Sequence, residues 1–249
     1  MTILVTRPSP YGEKLVSKLL SFGKKAFHLP LIYFSTGKTL YLLEKQLNLL
    51  SKGDLLLITS QQAINYAHRR LIDIRKSWPI GLIYCAIGRS TSKKMHNLSG
   101  ILAKYPIDEE TSECLLQSPE LMHINGKRVL ILRGNNGRTI LDDVLRQRGA
   151  MVLSCECYSR NLLKYDGLEQ CLNLLRLNIE ILVITSGVVL EQLYYLIPKF
   201  YRIGWLIRCK LVVVSMRLAS VARNLGWTDI IIAKSADNNS LIQVLVEEL

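Results

Sequence analysis

An internal repeat at an offset of 126 residues constrains the fold of this chain more than any other feature of its sequence. The stretch ILVTRP near the N-terminus resembles LILRG further along, and this similarity aligns Arg7 with Arg133. A second stretch, DLLLITS from Asp54, resembles EILVITS from Glu180 at the same offset. Since the offset is about half of the 249 residues, we interpret the repeat as an ancient duplication that gives two similar domains.

Each half of the repeat alternates short apolar runs with helical patterns. The runs predict strands at Ile3–Thr6, Leu55–Thr59, Ile83–Ile87, Val129–Leu132, Ile181–Thr185 and Leu211–Val214. Runs that are apolar throughout are typical of strands buried on both faces, as in parallel sheets. The expected fold class is therefore α/β, with two similar doubly wound parallel-sheet domains from an internal duplication, joined by a two-stranded linker.

Two segments interrupt this alternation at equivalent places in the repeat. They are His28–Thr36 and Val152–Ser159, and both contain aromatic and β-branched residues. We expect these segments to pair as linker strands between the domains.

The charge of the chain favours a polyanionic partner. Lys and Arg number 32 against 20 Asp and Glu, so the formal net charge is +12. The basic residues are spread along the chain without interleaved aromatic residues, which argues against nucleic acid. The longest run without charged side chains, Leu55–His68, is too short and too polar to span a bilayer. The N-terminal residues lack a signal-peptide pattern, so we expect a cytoplasmic protein.

Hydroxyl, glycine and arginine residues follow the predicted strands. In open α/β sheets, ligands bind outside the carboxyl ends of the strands, and helix N-termini there bind anions. Arginine can add bidentate contacts to a carboxylate or phosphate. For any single Ser or Thr the alternative is a simple helix cap. The candidate anion-binding residues are Arg7, Thr59, Ser60, Ser90, Thr91, Arg133, Arg138, Thr185, Ser186, Gly187, Ser215 and Arg217.

Several familiar catalytic and cofactor patterns are missing from the sequence. It contains no G-x-x-x-x-G-K-[ST] loop, no G-x-G-x-x-G and no G-x-S-x-G elbow. The six cysteines form no C-x-x-C pair, and the four histidines are scattered. These absences make a nucleotide site a weak hypothesis, and an enzyme built on this chain would work by positioning and hydrogen bonding, without an obvious nucleophile or metal.

The chain resembles the uroporphyrinogen-III synthase family over nearly its whole length. The resemblance rests on short stretches in a fixed order: ILVTRP, IGRST, GKRVLILRGNNGR, RGA, CYSR, VITSG and VSMRLA. It implies a cofactor-free, cyclising lyase of haem biosynthesis. Its substrate would be hydroxymethylbilane, a linear tetrapyrrole with eight carboxylates, which is closed to uroporphyrinogen III with loss of water and inversion of ring D.

The resemblance also implies how the chain is divided. One domain would comprise residues 1–33 and 163–249, and the other residues 38–157, with linker segments at 34–37 and 158–162. Substrate would bind between the domains. The enzyme would be a monomer that takes its substrate from the preceding pathway enzyme and hands its product to the following one in transient encounters.

One residue receives a chemical role from the resemblance. Tyr158, in the CYSR stretch, falls where the family has a functionally important tyrosine, and its phenol would assist departure of the ring A hydroxyl. The alternative for this residue is a tyrosine that only packs its ring. For the whole protein, the alternative is a non-catalytic two-domain module that binds anions.

Overall fold

The computed structural model describes residues 1–135, 137 and 139–247. In this part of the chain the strands are β1 (Thr2–Val5), β2 (Lys25–His28), β3 (Ile32–Thr36), β4 (Leu55–Ile58), β5 (Ile83–Ala86), β6 (Arg128–Gly134), β7 (Met151–Leu162), β8 (Ile179–Val183), β9 (Lys210–Val213) and β10 (Ile230–Ile232). The helices are α1 (Tyr11–Ser21), α2 (Leu43–Asn48), α3 (Gln61–Asp73), α4 (Arg89–Ser99), α5 (Ser112–Leu116), α6 (Pro119–Met122), α7 (Ile140–Gln147), α8 (Gly167–Arg176), α9 (Gly187–Leu196), α10 (Lys199–Gly204), α11 (Met216–Asn224) and α12 (Asn238–Glu247).

The chain divides into two compact units. The first comprises Met1–Tyr33 and Asn161–Leu249, and the second comprises Phe34–Arg160. The first unit is built on a sheet with the strand order β10-β9-β8-β1-β2, and the second on a sheet with the order β3-β7-β6-β4-β5. Strands β1, β2, β8, β9 and β10 pair in parallel, as do β4 with β5 and β6, and β6 with β7. The predicted α/β fold with parallel sheets is confirmed.

The two sheets share one strand order, and each takes strands from both halves of the repeat. The order β9-β8-β1-β2 corresponds to β5-β4-β6-β7. The edge strand β10 also has a counterpart in the second sheet. An isolated parallel bridge there joins Cys85 of β5 to Lys104, and Lys104 lies 126 residues before Ile230, the first residue of β10. The crossing of the chain from one sheet to the other and back explains why the first unit is discontinuous.

The central strands are buried on both faces, as their apolar sequences predict. All four residues of β4, Leu55–Ile58, are fully buried. Leu56 and Ile58 pack in one hydrophobic cluster with α3, while Leu55 and Leu57 pack in another with α7. Alternate side chains of a strand point to opposite faces, so one apolar run supplies both layers.

The two segments predicted as linkers meet in the second sheet. Strands β3 and β7 are neighbours there, and the predicted linker segments 34–37 and 158–162 overlap their ends. The predicted single segment His28–Thr36 is instead two strands, since β2 ends at His28 and β3 begins at Ile32. Strand β2 pairs with β1, and this pairing anchors the first part of the segment in the other sheet.

Candidate active site

The candidate residues lie at the carboxyl ends of the parallel strands in both units. In the second unit, Thr59 and Ser60 follow β4, Ser90 and Thr91 lie in the first turn of α4, and Arg133 and Tyr158 lie late in β6 and β7. In the first unit, Arg7 follows β1, Thr185, Ser186 and Gly187 follow β8, and Ser215 and Arg217 follow β9. Arg138 lies outside the described residues.

Three of the candidate serines cap helices in the same way. The hydroxyl oxygens of Ser60, Ser186 and Ser215 accept hydrogen bonds from the third backbone N–H of α3, α9 and α11 at 3.2, 3.4 and 3.2 Å. All three serines have extended backbones, as N-cap residues require. A cap satisfies one of the N–H groups at the start of a helix, which leaves others pointing at the strand ends. Such N–H groups suit a carboxylate ligand.

Helix α4 begins differently, because a carboxylate of the protein already occupies its N-terminus. Its N-cap is Gly88, which has no side chain to offer. Instead, the Arg89 backbone N–H donates to Glu110 Oε1 at 2.9 Å. A Cβ at Gly88 would lie 2.1 Å from Glu110 Oε2, so a larger residue there would force the Glu110 side chain to move. Thr91 is buried, and its N–H donates to the Gly88 carbonyl at 3.1 Å.

The two candidate arginines that the repeat aligns have different partners. Arg133 forms an ion pair with Asp142 at 2.5 Å, and its guanidinium also donates to Ser154 Oγ at 2.7 Å. Arg7 donates to the Asn238 side chain and lies over the Tyr11 ring, with 5.7 Å from guanidinium carbon to ring centroid. Its Nε is buried without a hydrogen-bond partner in the described part of the chain. Burial lowers the pKa of Arg7, but far too little to neutralise a guanidinium.

Tyr158 and Ser60 come together although 98 residues separate them. The Ser60 hydroxyl donates to the Tyr158 hydroxyl oxygen at 3.2 Å. The Tyr158 ring meets the Phe34 ring edge-on, with centroids 5.4 Å apart, and stacks on Tyr66 at 6.0 Å. The ring also lies so close to Gly134 that a Cβ there would be 2.6 Å from Tyr158 Cζ. The phenol is thus held firmly, with 6% of the residue exposed.

A β-bulge directs Tyr158 to this position. The register of β6 and β7 runs in step until Arg133 faces Glu156, and then Gly134 faces Tyr158, so Cys157 is the extra residue. Cys157 and Tyr158 are neighbours in sequence, yet both pack in the same hydrophobic cluster. A regular strand would send them to opposite faces, and a bulge is the usual device for resetting that alternation.

Two of the buried cysteines are poor candidates for a nucleophile or a metal ligand. All six are free thiols, and burial raises the pKa values of Cys85 and Cys209 to about 12. A thiol reacts and binds metals as the thiolate, which these two do not form near neutral pH. Among the described residues, no three His, Cys, Asp or Glu side chains gather where they could hold a metal ion. In the same part of the chain, no helix is long and apolar enough to cross a membrane.

Sequence reasoning missed the groups that partner the candidates. Glu110, Asp142 and Asn238 each bind a helix start or an arginine at the strand ends. Asp142 left a local signal, since it is an acid in the first turn of the helix that follows a strand ending near Arg133. Glu110 left none, because it lies in an irregular segment 21 residues beyond its partner.

The fold and these strand-end groups define a two-unit α/β protein in which each unit has helix N-termini and an arginine suited to carboxylates, and the second unit also has the buried phenol of Tyr158. A family model described as uroporphyrinogen-III synthase HemD matches residues 13–243. The uroporphyrinogen-III synthase of Escherichia coli (strain K12) is 50% identical over 245 residues, which cover 98% of this chain and 100% of that protein. The uroporphyrinogen-III synthase of Proteus mirabilis is 46% identical over 78% of this chain and 97% of its own length.

Solved structures agree on the fold. A mutant uroporphyrinogen III synthase from the extremely thermophilic bacterium Thermus thermophilus superposes with a TM-score of 0.66 at 16% identity, with 100% of both chains covered. The uroporphyrinogen-III synthetase from Helicobacter pylori 26695 gives a TM-score of 0.59 at 19% identity, covering 100% of this chain and 99% of that one. The chain belongs to the uroporphyrinogen-III synthase family. This confirms the prediction of a cyclising lyase of tetrapyrrole biosynthesis over that of a non-catalytic module.

Proposed function

We propose that this chain closes hydroxymethylbilane to uroporphyrinogen III, with Tyr158 as its catalytic residue. The reaction itself is supported by family membership, with 50% identity to the Escherichia coli enzyme along almost the whole chain. The observation that carries the residue assignment is the phenol of Tyr158, which is clamped by Phe34, Tyr66 and Gly134 and bonded to Ser60.

The substrate itself stabilises the cation that forms when its hydroxyl leaves. Loss of hydroxide from the ring A hydroxymethyl group leaves an azafulvenium cation, which the pyrrole nitrogen stabilises. The substituted α-carbon of ring D then attacks, and the resulting spiro intermediate resolves with ring D inverted. The protein must hold the bilane folded for this attack, and positioning of this kind is worth about 7–11 kcal/mol in favourable cases. Without it, the free bilane closes head to tail and gives the other isomer.

Tyr158 would hydrogen-bond to the departing hydroxyl, because its phenol carries a proton that it can donate. Tyr158→Phe keeps the ring packing and removes only this donor. We expect turnover to fall roughly ten- to several-hundred-fold, at or just below the range for positioned acids, while substrate affinity and Tm change little. The assay incubates purified enzyme with fresh hydroxymethylbilane and separates the uroporphyrin isomers. Wild-type turnover with isomer III as product would refute the catalytic role.

Substrate carboxylates would bind to backbone N–H groups and arginines. We assign this role to Arg7, Thr59, Ser60, Ser90, Thr91, Arg133, Arg138, Thr185, Ser186, Gly187, Ser215 and Arg217. Smaller contributions are expected from Arg133, which is already paired with Asp142, and from Ser90 and Thr91, because Glu110 already occupies the start of α4. The capped starts of α3, α9 and α11 support it, as does the net charge of +12. Replacing one hydroxyl by Ala should change affinity little, because the N–H groups remain. Affinity should fall as salt is raised, since ions screen the attraction.

The setting of the reaction is part of the same proposal. The enzyme would act as a cytoplasmic monomer without cofactor, with domains at 1–33 plus 163–249 and at 38–157. It would exchange substrate and product with the neighbouring pathway enzymes only in transient encounters. Sedimentation of the purified protein alone tests whether it is a monomer. Sedimentation in mixtures with each of those enzymes tests whether the encounters are only transient.

A further inference from the structure

The hydroxyl of Ser60 has two partners, and it accepts a hydrogen bond from one and donates to the other. The Ala63 backbone N–H lies 3.2 Å from Ser60 Oγ, and the Tyr158 hydroxyl oxygen lies at the same distance. A backbone N–H can only donate, so Ser60 accepts from Ala63. Its own proton is donated to the Tyr158 oxygen, the acceptor that lies within hydrogen-bond distance in the described part of the chain.

This direction determines what Tyr158 can do with its proton. A phenol has one proton to donate and can also accept, so the bond from Ser60 takes up acceptor capacity only. In the described part of the chain no second hydrogen bond reaches the Tyr158 hydroxyl. The phenolic proton therefore stays available for a ligand. The clamp formed by Phe34, Tyr66 and Gly134 prevents the ring from turning away to another partner.

We propose that Ser60 is a positioning residue that, by donating to the phenolic oxygen, makes Tyr158 donate its own proton to the departing hydroxyl of the substrate. This inference rests on the proposed function of Tyr158. In the step, the carbon–oxygen bond of the ring A hydroxymethyl group breaks and the electron pair leaves with the oxygen. The phenolic proton moves to that oxygen, and water departs.

The hydrogen bond from Ser60 to Tyr158 also stabilises the state that exists after the phenolic proton has moved. Tyr158 is then a phenolate, and the Ser60 O–H stabilises the charge on its oxygen, because bonds to charged groups are stronger than neutral ones. The phenolate recovers a proton when closure of the macrocycle expels one from a pyrrole carbon. Protons thus balance over the cycle, and the substrate loses one molecule of water.

A double-mutant cycle tests whether Ser60 acts through Tyr158. Ser60→Ala and Ser60→Gly are each made in the wild-type protein and in Tyr158→Phe, and kcat and KM are measured with isomer analysis. Glycine preserves more of the helix start than alanine does, and this chain already uses Gly88 as the N-cap of α4. In the wild-type background we expect kcat to fall about ten-fold, the scale of one hydrogen bond, with KM unchanged.

In the Tyr158→Phe background we expect no further fall in kcat, because the acceptor of the Ser60 proton is gone. An equal fall in both backgrounds would overturn the inference while leaving Tyr158 catalytic. Wild-type turnover in Tyr158→Phe alone would overturn both the catalytic role and the inference drawn from it. The two failures are therefore distinguishable.

Loss of a helix cap is controlled with a helix outside the candidate site. Asp166 caps α8 by accepting from the Glu169 N–H at 2.8 Å. Asp166→Ala should lower Tm about as much as Ser60→Ala but leave kcat unchanged. If Asp166→Ala lowered kcat as much as Ser60→Ala does, the effect at Ser60 would be one of helix stability, and the inference would fail.

Discussion

Arg7 and Arg133 occupy the same place in the repeat, but their charges are used differently. In the second unit, Asp142 pairs with Arg133, and only 15% and 8% of the two side chains are exposed. The position equivalent to Asp142 in the first unit is Val16, on α1, which packs against the apolar core. Arg7 therefore contacts Asn238 and Tyr11, and in the described part of the chain no carboxylate lies within ion-pair distance of it.

The different partners suggest that the two equivalent arginines have different roles, one in stability and the other in ligand binding. An arginine whose charge is already neutralised gains little from a substrate carboxylate and must first lose its partner. An arginine without an acidic partner keeps its charge for a ligand. We therefore expect Arg133 to matter chiefly for stability and Arg7 chiefly for substrate affinity, and the predictions below test this division.

The largest effect is expected from Asp142→Ala. Removing one partner of a buried ion pair leaves the other charge in the interior, which costs about 3–5 kcal/mol. The free energy of unfolding, measured by urea denaturation, should fall by about that amount. Arg146 lies 3.8 Å from the same carboxylate but is 55% exposed, so Arg146→Ala should cost less than about 1 kcal/mol. Similar losses of stability in Asp142→Ala and Arg146→Ala would mean that the buried ion pair of Arg133 with Asp142 contributes no more than the exposed one.

Arg7→Gln should weaken substrate binding without a large loss of stability. A hydrogen bond to a charged group contributes about 1.5–3 kcal/mol, so KM should rise about ten- to hundred-fold at low salt. The matched control is Arg176→Gln, which removes one charge from an exposed position near the end of α8. A KM that changes equally in both variants would mean that only the net charge of the protein matters.

The helix starts allow a finer comparison of the units, because α3 and α9 begin at equivalent positions. Gly187→Pro and Gln61→Pro each remove one backbone N–H at a position where proline fits a helix, after a serine with an extended backbone. We expect each change to lower affinity by a few-fold to about ten-fold. Gly187→Ala and Gln61→Ala, which keep the N–H, should bind normally. A loss in only one proline variant would show that the substrate uses one of these N-termini.

The smallest effect concerns Asp237, the acid whose charge acts on Arg7. Hydrogen bonds from Ser235 and from N–H groups at the start of α12 lower the pKa of Asp237 to about 2. A lowered pKa stabilises the folded state above the unfolded pKa, and this contribution is lost as pH falls through about 2. Wild type should therefore exceed Asp237→Asn in stability at pH 5, and the gap should narrow from pH 4 to pH 2. A gap independent of pH would contradict this.

The sequence predicted the strands of both sheets well, because burial on both faces leaves continuous apolar runs. Each of the six predicted strands is present within about two residues at either end. Strand β2 was missed as a separate element because Lys25 and His28 interrupt its apolar character. Strand β10 was missed because three isoleucines are too short a run to separate from a helix or loop.

The candidate site was predictable only where it depends on local sequence. The caps at Ser60, Ser186 and Ser215 follow from a small hydroxyl residue between a strand and a helix. The bond between Ser60 and Tyr158 depends on how β4 and β7 are placed in one sheet, which sequence spacing does not encode. The pairing of Arg133 with Asp142 likewise depends on the turn of α7 against β6.

The extra residue in β7 makes strand length as important as residue identity. Cys157 shifts the register by one, and Tyr158 consequently lies in the same cluster as its neighbour. If Cys157 were part of the regular ladder, Tyr158 would alternate with it, and the phenol would lie on the opposite face of the sheet. Anyone who transplants this chemistry to another scaffold must therefore copy the spacing together with the tyrosine. An alignment with a distant relative that lacks the extra residue Cys157 needs a gap in this strand. Without the gap, Tyr158 would be matched to a side chain that only packs in the fold.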